Sequence, residues 1–266
     1  MLTISKSLSA GQARTYHSRE FTSEEQNYWS RDQRAHSEWQ GRLAHEWGLH
    51  GEVGSEHFAR LSEGQHPESG VQLVKHQPAR TYENEYGKEI TSVEHRAGWD
   101  ATFSAPKSVS LTAHVGRDDR VREAHRESVR VALGELERYT QARIGNVHAP
   151  ETTGKFVAAT FEHDTARPVD GYAAPQLHTH AVIFNVTERE NGQSRALQER
   201  SVGVESRYRA SQQFVILKKG ARNCKQFGSG WFQSCRTMDN TRVIPSAKPR
   251  TMCHPTAPTA LSPDAG

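Results

Sequence analysis

The sequence has little cysteine and no long hydrophobic run, and both absences narrow the class of protein. Its three cysteines, Cys224, Cys235 and Cys253, all lie near the C-terminal end of the 266 residues. A cysteine-free body argues against a disulfide-stapled domain and against a zinc ribbon. No apolar stretch approaches the roughly 20 residues of a membrane span, and the first residues lack the apolar core of a signal peptide. We therefore expect a cytoplasmic protein without membrane insertion.

A strong excess of one charge is also missing from most of the chain. The formal net charge is +3, but residues 211–266 hold 8 Lys+Arg and 2 Asp+Glu, which leaves residues 1–210 at −3. Composition therefore does not by itself indicate a nucleic-acid-binding protein, and any DNA contact of the main body must come from local patches. The Gly-x-x-x-x-Gly-Lys-Ser/Thr phosphate loop is absent too, so we expect no helicase in this sequence.

The most informative segment is 175–184, in which a His-x-His pair opens an apolar run. Residues i and i+2 of a β-strand project from the same face, so His178 and His180 can point at one ion. A third histidine, His163, ends another strand-like run that begins at Phe156. Three imidazoles on one divalent cation leave part of its coordination sphere open, which is the layout of a catalytic rather than a structural metal site. The pattern predicts a metal-dependent enzyme.

Chance pairing is the alternative, because the chain has 15 histidines. The strand-forming residues around both histidine motifs argue against chance, since two neighbouring strands would bring the three rings together. Imidazole ligands suit zinc, manganese or nickel, and magnesium is also compatible when oxygens of phosphate and water complete the shell. The identity of the divalent ion stays open among these metals.

Hydrophobic periodicity predicts helices in the N-terminal half. Trp39, Leu43 and Trp47 recur every four residues, which predicts one helix that buries both indoles in the core and stops near Gly48. A second short helix is expected over residues 55–61, followed by a polar loop.

A strand is predicted over residues 98–103, followed by a helix for which Ser104 is the N-cap and Pro106 an early proline. The free N–H groups at such a helix start suit an anion such as phosphate. Lys107 and Ser108 lie in this first turn and are therefore our candidate DNA-binding residues.

The clearest helix is predicted over residues 118–143, opened by two aspartates and followed by Gly145. Its expected apolar stripe consists of Val121, Ala124, Val131, Leu136 and Tyr139. Five arginines lie on or just before it, and we interpret them either as a solvated face or as a nucleic-acid contact: Arg117, Arg120, Arg122, Arg126 and Arg130.

An ordered set of motifs carries a family resemblance. The motifs are Tyr16, Tyr28-Trp29, Ser37-Glu38-Trp39-Gln40-Gly41, the segment 100–110 that reads DATFSAPKSVS, and the segment 175–180 that reads PQLHTH. Together they resemble the relaxase domain of the MobF-class (TrwC-like) conjugative relaxases, which belong to the HUH endonucleases. The resemblance runs from residue 1 to about 200. It implies an α+β fold whose antiparallel central sheet, flanked by helices, carries the histidines.

The resemblance also implies an activity and the roles of single residues. The activity is metal-dependent, site-specific nicking and strand transfer of single-stranded DNA at a conjugative transfer origin, in the bacterial cytoplasm, through a 5′-phosphotyrosine. The three metal-binding histidines fall on His163, His178 and His180, the first nucleophile on Tyr16, and the assisting acid on Asp100. The second tyrosine falls on Tyr28, for which a packing role is the alternative. Accessory transfer and secretion-system proteins are implied as partners.

The character of the chain changes after about residue 200. Periodicity fades, all three cysteines appear, and five prolines follow Ile244. We expect a relaxase domain over residues 1–205, incomplete where relatives continue with a helix-rich segment, and an irregular, disordered tail over 206–266 that arises from a reading-frame disruption. The rival functions are a truncated, catalytically incompetent remnant that binds single-stranded DNA and an unrelated three-histidine metallohydrolase.

Overall fold

We describe the protein from a computed structural model. It describes residues 1–16, 36–75, 80–83, 87, 89–92, 95–145, 148–166, 173–202 and 209–212. The predicted tail over 206–266 lies outside the described residues apart from 209–212. No helix in the described part of the chain is long and apolar enough to cross a membrane.

Helices and short strands alternate around one larger antiparallel sheet. The strands are β1 (Leu2–Ile4), β2 (Leu8–Ser9), β3 (His36–Gln40), β4 (Arg80–Glu83), β5 (Glu89–Ser92), β6 (Arg96–Ser104), β7 (Gln141–Ala142), β8 (Glu151–Thr152), β9 (Ala158–Thr165), β10 (Pro175–Phe184), β11 (Thr187–Glu188) and β12 (Ser194–Arg195). The helices are α1 (Ala10–Tyr16), α2 (Arg42–Glu46), α3 (Ser55–Ser62), α4 (Lys107–His114), α5 (Asp119–Glu137) and a 3-10 helix at Glu199–Val202. The expected α+β fold with an antiparallel central sheet is confirmed.

The central sheet has the order β1-β6-β10-β9-β3, and β2 also pairs with β6. All of these pairings are antiparallel. Because side chains alternate along a strand, each strand contributes to two different surfaces. Strands β6 and β10 are the longest of the described strands, and they pair with each other within this sheet.

The two faces of the sheet are covered by different helices. On the face that we call the back, α5 packs Val129, Leu133 and Leu136 onto Ala101, Ile183 and other buried side chains of the strands. On the face that we call the front, α2 and α3 supply Leu43, Phe58 and Leu61 to a cluster with Phe161 and Phe184. The front also carries the three histidines.

The predicted single helix through Trp39, Leu43 and Trp47 is wrong. Trp39 lies in β3, and only Arg42–Glu46 is helical. Gly41 separates the two elements at φ +103°, where a Cβ would collide with the Phe156 carbonyl oxygen. The core role of Trp39 is nevertheless confirmed, since its side chain is buried, while Trp47 is half-buried against the same cluster.

The other predicted elements differ mainly at their ends. The helix expected over 55–61 is α3, and the strand expected over 98–103 is β6. Ser104 is the last residue of β6 and not an N-cap, and α4 follows from Pro106 without a side-chain cap.

The long helix is shorter than predicted, because it ends at Glu137 and the chain then enters β7. Asp118 is its N-cap and accepts the Arg120 backbone N–H. Of the predicted apolar stripe only Leu136 is buried. The stripe that does face the sheet consists of His125, Ser128, Val129, Ala132, Leu133 and Leu136.

Candidate active site

The front face brings the three predicted histidines together. His178 and His163 are direct cross-strand partners of β10 and β9, and His180 follows two residues further along β10. The ring centroids lie 5.3 Å apart for His163 and His178, 5.5 Å for His163 and His180, and 5.0 Å for His178 and His180. The structure thus places the three histidines side by side on two neighbouring strands, and their role as metal ligands stays a prediction.

His180 and His178 each have their Nδ1 atom oriented by an oxygen of the protein. His180 Nδ1 lies 2.8 Å from Asp100 Oδ2, and His178 Nδ1 lies 2.9 Å from the Gln176 carbonyl oxygen. A carboxylate and a carbonyl only accept hydrogen bonds, so both Nδ1 atoms donate, and in the neutral ring Nε2 is the nitrogen with the lone pair. Histidines that bind metals are oriented in this way in proteins, through a carboxylate or a backbone carbonyl on the other ring nitrogen.

The spacing of the rings fits a single ion, but their present orientation does not. With nitrogen ligands at about 2.0–2.1 Å, three tetrahedrally arranged imidazoles have centroids about 5 Å apart. Among the residues that the structure describes, however, no three His, Cys, Asp or Glu side chains are posed to hold an ion. The rings of His163 and His178 instead stack at an interplanar angle of 26°. Binding of one ion by all three rings thus requires a different orientation of these two rings.

Asp100 is fixed in this site by two residues that the sequence analysis missed. The Thr102 hydroxyl lies 3.3 Å from Asp100 Oδ2 and 3.3 Å from His180 Nδ1. The Ser5 hydroxyl accepts the Asp100 backbone N–H at 3.0 Å, and the Ser5 N–H donates to the Asp100 carbonyl. Thr102 follows Asp100 by two residues in β6, so the strand period of two places both side chains on one face and could have predicted their contact. No feature of the sequence predicts the contact of Ser5.

The candidate DNA-binding residues, Lys107 and Ser108, follow the end of β6 in sequence. Ser104, the last residue of β6, pairs with His178 in the sheet, and α4 begins three residues later. Lys107 Nζ donates to the Pro175 carbonyl oxygen at 2.9 Å, which fastens α4 to the start of β10. Ser108 is exposed in the same turn.

The two tyrosines are placed less completely. Tyr16 is the last residue of α1, which packs against α3 and β6 on the front side, and its side chain is not described. Tyr28 lies outside the described residues. Their roles therefore stay predictions.

The arginines of α5 fit neither of the two predicted interpretations in full. Arg122 and Arg126 are turned inward onto carboxylates of β9, while Arg130 pairs with Glu38 of β3 and with two glutamates of its own helix. The predicted solvated position is kept by Arg120, with 82% of its side chain exposed, and by Arg117, which is exposed just before the helix.

Comparison with known proteins decides the family. The model of the TrwC relaxase family matches residues 10–236 of this chain. This chain belongs to the TrwC relaxase family. The matched range extends past residue 205, where the sequence analysis ended the relaxase domain, and that boundary stays a prediction.

Individual TrwC-family proteins show the same relationship. The multifunctional conjugation protein TraI of Escherichia coli K12 is 38% identical over 205 residues, which are 76% of this chain and 10% of TraI. This chain therefore spans about a tenth of the length of the curated relatives that it matches.

Solved relaxase structures have the same fold. The conjugative relaxase TrwC in a metal-bound complex with oriT DNA is 33% identical, with a TM-score of 0.65 over 86% of this chain and 71% of TrwC. A copper-bound TrwC complex gives 34% identity and a TM-score of 0.65 over 86% and 72%. A TrwC complex with a 27-mer that contains the recognition hairpin and the cleavage site gives 32% and 0.61, again over 86% and 72%.

Proposed function

We propose that this chain is a DNA strand transferase that nicks single-stranded DNA at a conjugative transfer origin and stays attached to it through a 5′-phosphotyrosine. The observation that carries the proposal is the front-face cluster of three histidines with Asp100 bonded to one of them. It is supported by membership of the TrwC family and by solved relatives that are described as complexes with oriT DNA.

The reaction assigned to Tyr16 is a transesterification. Its phenolic oxygen forms a bond to the scissile phosphorus, the bond from phosphorus to the 3′ oxygen breaks, and that oxygen leaves as a 3′-hydroxyl after taking up a proton. One phosphodiester replaces another, so the same site can rejoin strands. Because an unperturbed tyrosine has a pKa of about 10, the hydroxyl needs a group that accepts its proton.

The residues on the front face can supply this help. His163, His178 and His180 would hold a divalent ion, for which magnesium, manganese and zinc are our candidates. Such an ion, when bound, neutralises the charge that develops on the scissile phosphate. Asp100 orients His180 through Nδ1 and is the group that we assign to direct proton acceptance from Tyr16, because Asp100 and the ion would engage both nitrogens of His180.

The remaining parts of the proposal concern partners and place. We assign phosphate contacts of the DNA to Lys107 and Ser108 at the start of α4. We assign the later strand-transfer step to Tyr28. Accessory transfer and secretion-system proteins, together with a location in the bacterial cytoplasm, complete the function that the family implies.

We also propose that residues 206–266 form an irregular tail that arises from a reading-frame disruption. The match to the TrwC family model ends within this range, at residue 236. Translation of the encoding DNA in the other two forward frames beyond codon 200 tests the idea. A relaxase-like helical continuation in one of them supports it, and none in either frame makes the tail a genuine extension.

The function itself is tested by replacing Tyr16 with phenylalanine. Tyr16→Phe removes one oxygen and little packing, so folding persists while covalent attachment to an origin oligonucleotide disappears. The measurement is the adduct that survives denaturing electrophoresis. Tyr139→Phe is the matched control, since this hydroxyl bonds Glu135 on α5.

Two results would contradict the assignment. An undiminished adduct with Tyr16→Phe moves the chemistry to another residue. A parental protein that binds the oligonucleotide and forms no adduct is the catalytically incompetent remnant.

A further inference from the structure

A buried charged cluster lies on the back face of the sheet, behind the histidines. Arg122 Nη1 of α5 lies 2.6 Å from Glu162 Oε1 and 2.6 Å from Asp164 Oδ1 of β9. Arg126 binds the same Glu162 through Nε at 2.9 Å and Nη2 at 3.1 Å. The Glu162 side chain is only 3% exposed, and that of Arg122 is 18% exposed.

The cluster is placed on both sides of a predicted metal ligand. Glu162 and Asp164 are the two chain neighbours of His163, so their side chains project to the back while the His163 ring projects to the front. The neighbouring strand repeats the arrangement, because Thr179, which separates His178 from His180, bonds His125 Nε2 of α5 at 3.1 Å. Helix α5 thus bonds to both strands that carry the histidines, through the residues next to the histidines in sequence.

Stability alone does not account for this arrangement. Removing two arginines and two carboxylates from water carries a desolvation cost that their attraction often only offsets, and apolar side chains of similar volume stabilise such positions at least as well. One turn further, the same helix uses Val129, Ala132 and Leu133 for that purpose. Unlike apolar contacts, these ion pairs fix the orientation of the groups involved, because a planar guanidinium group binds a carboxylate in a defined geometry.

The charges in the cluster are matched. Burial by itself lowers the pKa of the Arg122 guanidinium, but the hydrogen bonds and charges of Asp164 and Glu162 outweigh it and raise that pKa above its ordinary value. Arg122 therefore stays cationic. The cluster also includes His114 of α4, whose Nδ1 lies 3.2 Å from Arg122 Nη2.

We propose that Arg122, assisted by Arg126, is a positioning residue that sets the place of His163 in the metal site by holding Glu162 and Asp164 from the back of β9. The inference rests on the proposed function, since it assigns Arg122 a role toward that same site. Small shifts of a ligand are costly in such centres, and groups that orient ligands change metal affinity about 10- to 100-fold when removed.

The test compares three variants of the full chain. Arg122→Met removes both ion pairs but keeps the length of the side chain, and Arg122→Lys keeps the charge without the planar guanidinium group. Arg130→Met is the matched control, because it removes an arginine of the same helix whose sheet partner is Glu38 of the edge strand β3. The readouts are the affinity for Co²⁺ alone, the visible absorption spectrum of the Co²⁺ complex, and the imidazole NMR resonances of the metal-free protein.

We expect Arg122→Met to weaken Co²⁺ binding about tenfold and to alter the spectrum and the His163 resonances. Arg122→Lys is expected to lie between Arg122→Met and the parent, and Arg130→Met to match the parent. If Arg122→Met does not fold, the Lys variant decides by the same readouts.

Parental affinity, spectrum and resonances in the Arg122 variants would overturn the inference and leave the ion pairs a role in stability only. A parental chain that binds no Co²⁺ counts against the proposed metal site instead. In that case the His163 resonances of the metal-free variants still decide whether Arg122 positions this ring.

Discussion

Alternate residues of β9 and β10 form two surfaces of opposite character. On the front, the rings of His163, His178 and His180 lie 5.0–5.5 Å apart. On the back, between and beside them, Glu162, Asp164 and Thr179 are bound tightly to α5. The front rings are spaced for an ion but not turned toward one, whereas the back groups already have their partners.

This difference indicates how one pair of strands can carry histidine rings that are able to rotate on one face while the bonds to α5 on the other face hold the strands in place. Rotation of a ring about its own bonds changes nothing on the back, because alternate residues of a strand belong to opposite faces. Substitutions of the three front histidines should therefore alter chemistry with little change in stability, and substitutions on the back should do the reverse unless they touch the arginine cluster. Three predictions, in order of decreasing effect, test this contrast.

The largest effect is expected on the front, from His180→Ala. This change removes one of the three imidazoles and the partner of Asp100, so we expect loss of stoichiometric metal and of nicking. Binding to single-stranded DNA should largely persist, because that affinity is distributed over phosphate and base contacts. Elemental analysis of the purified variant measures the metal.

His178→Ala and His163→Ala serve as companions to His180→Ala and should give the same loss. Retention of one metal ion per chain after His180→Ala would refute a shared three-histidine site. The thermal midpoint of each variant shows whether a histidine side chain can be removed without destabilising the sheet.

An intermediate effect is expected on the back, from Leu133→Ala. Leu133 is 2% exposed and packs among Ala101, Ala181 and Ile183. Its truncation should lower the free energy of unfolding by about 2–5 kcal/mol, because it loses buried area and leaves a cavity. Denaturant unfolding measures this cost, and metal affinity of the folded protein should stay at the parental value. A matching loss of metal affinity would mean that the two faces are not independent.

The sequence could predict the front of the site because its signal is local. A His-x-His pair in an apolar run gives a shared strand face directly, and His163 and His178 indeed meet across the sheet. The roles of Tyr16 and Asp100, by contrast, came only from the family resemblance. No local pattern shows that Asp100 bonds His180, since the two residues are 80 positions apart.

The sequence failed where one pattern fits two structures. A spacing of four is compatible with a helix, but Trp39 reaches the same core from a strand because Gly41 turns the chain. The arginines of α5 were ambiguous for another reason. A helical arginine that binds Glu162 across the fold cannot be distinguished by sequence from one that faces water, because its partner lies 40 or 36 positions away.

The smallest effect is expected at Glu137, which joins the two faces around the sheet edge. This carboxylate at the end of α5 is buried and accepts the backbone N–H groups of Arg42, at the start of α2, and of Phe156. Burial raises the pKa of Glu137 above its ordinary value, and the two N–H bonds only partly oppose that shift. The native protein therefore keeps this proton at a pH where the unfolded chain has already released it. The stability linked to this group is complete below the ordinary glutamate pKa of about 4.3 and is lost as the pH rises through the raised pKa.

Glu137→Gln removes the charge while its amide oxygen still accepts from both N–H groups, so the variant lacks this pH-dependent loss. We expect the difference in unfolding free energy between Glu137→Gln and the parent to move in favour of the variant as the pH rises from the ordinary glutamate pKa toward neutrality. Urea unfolding over that range measures it, and Glu123→Gln, an exposed glutamate of the same helix, is the control that should show no such trend. Parallel curves for Glu137→Gln and the parent would mean that Glu137 is ionised throughout. In that case the ionised Glu137 carboxylate, and not its protonated form, would accept the N–H group at the start of α2. This bond would then connect α2 on the front to α5 on the back.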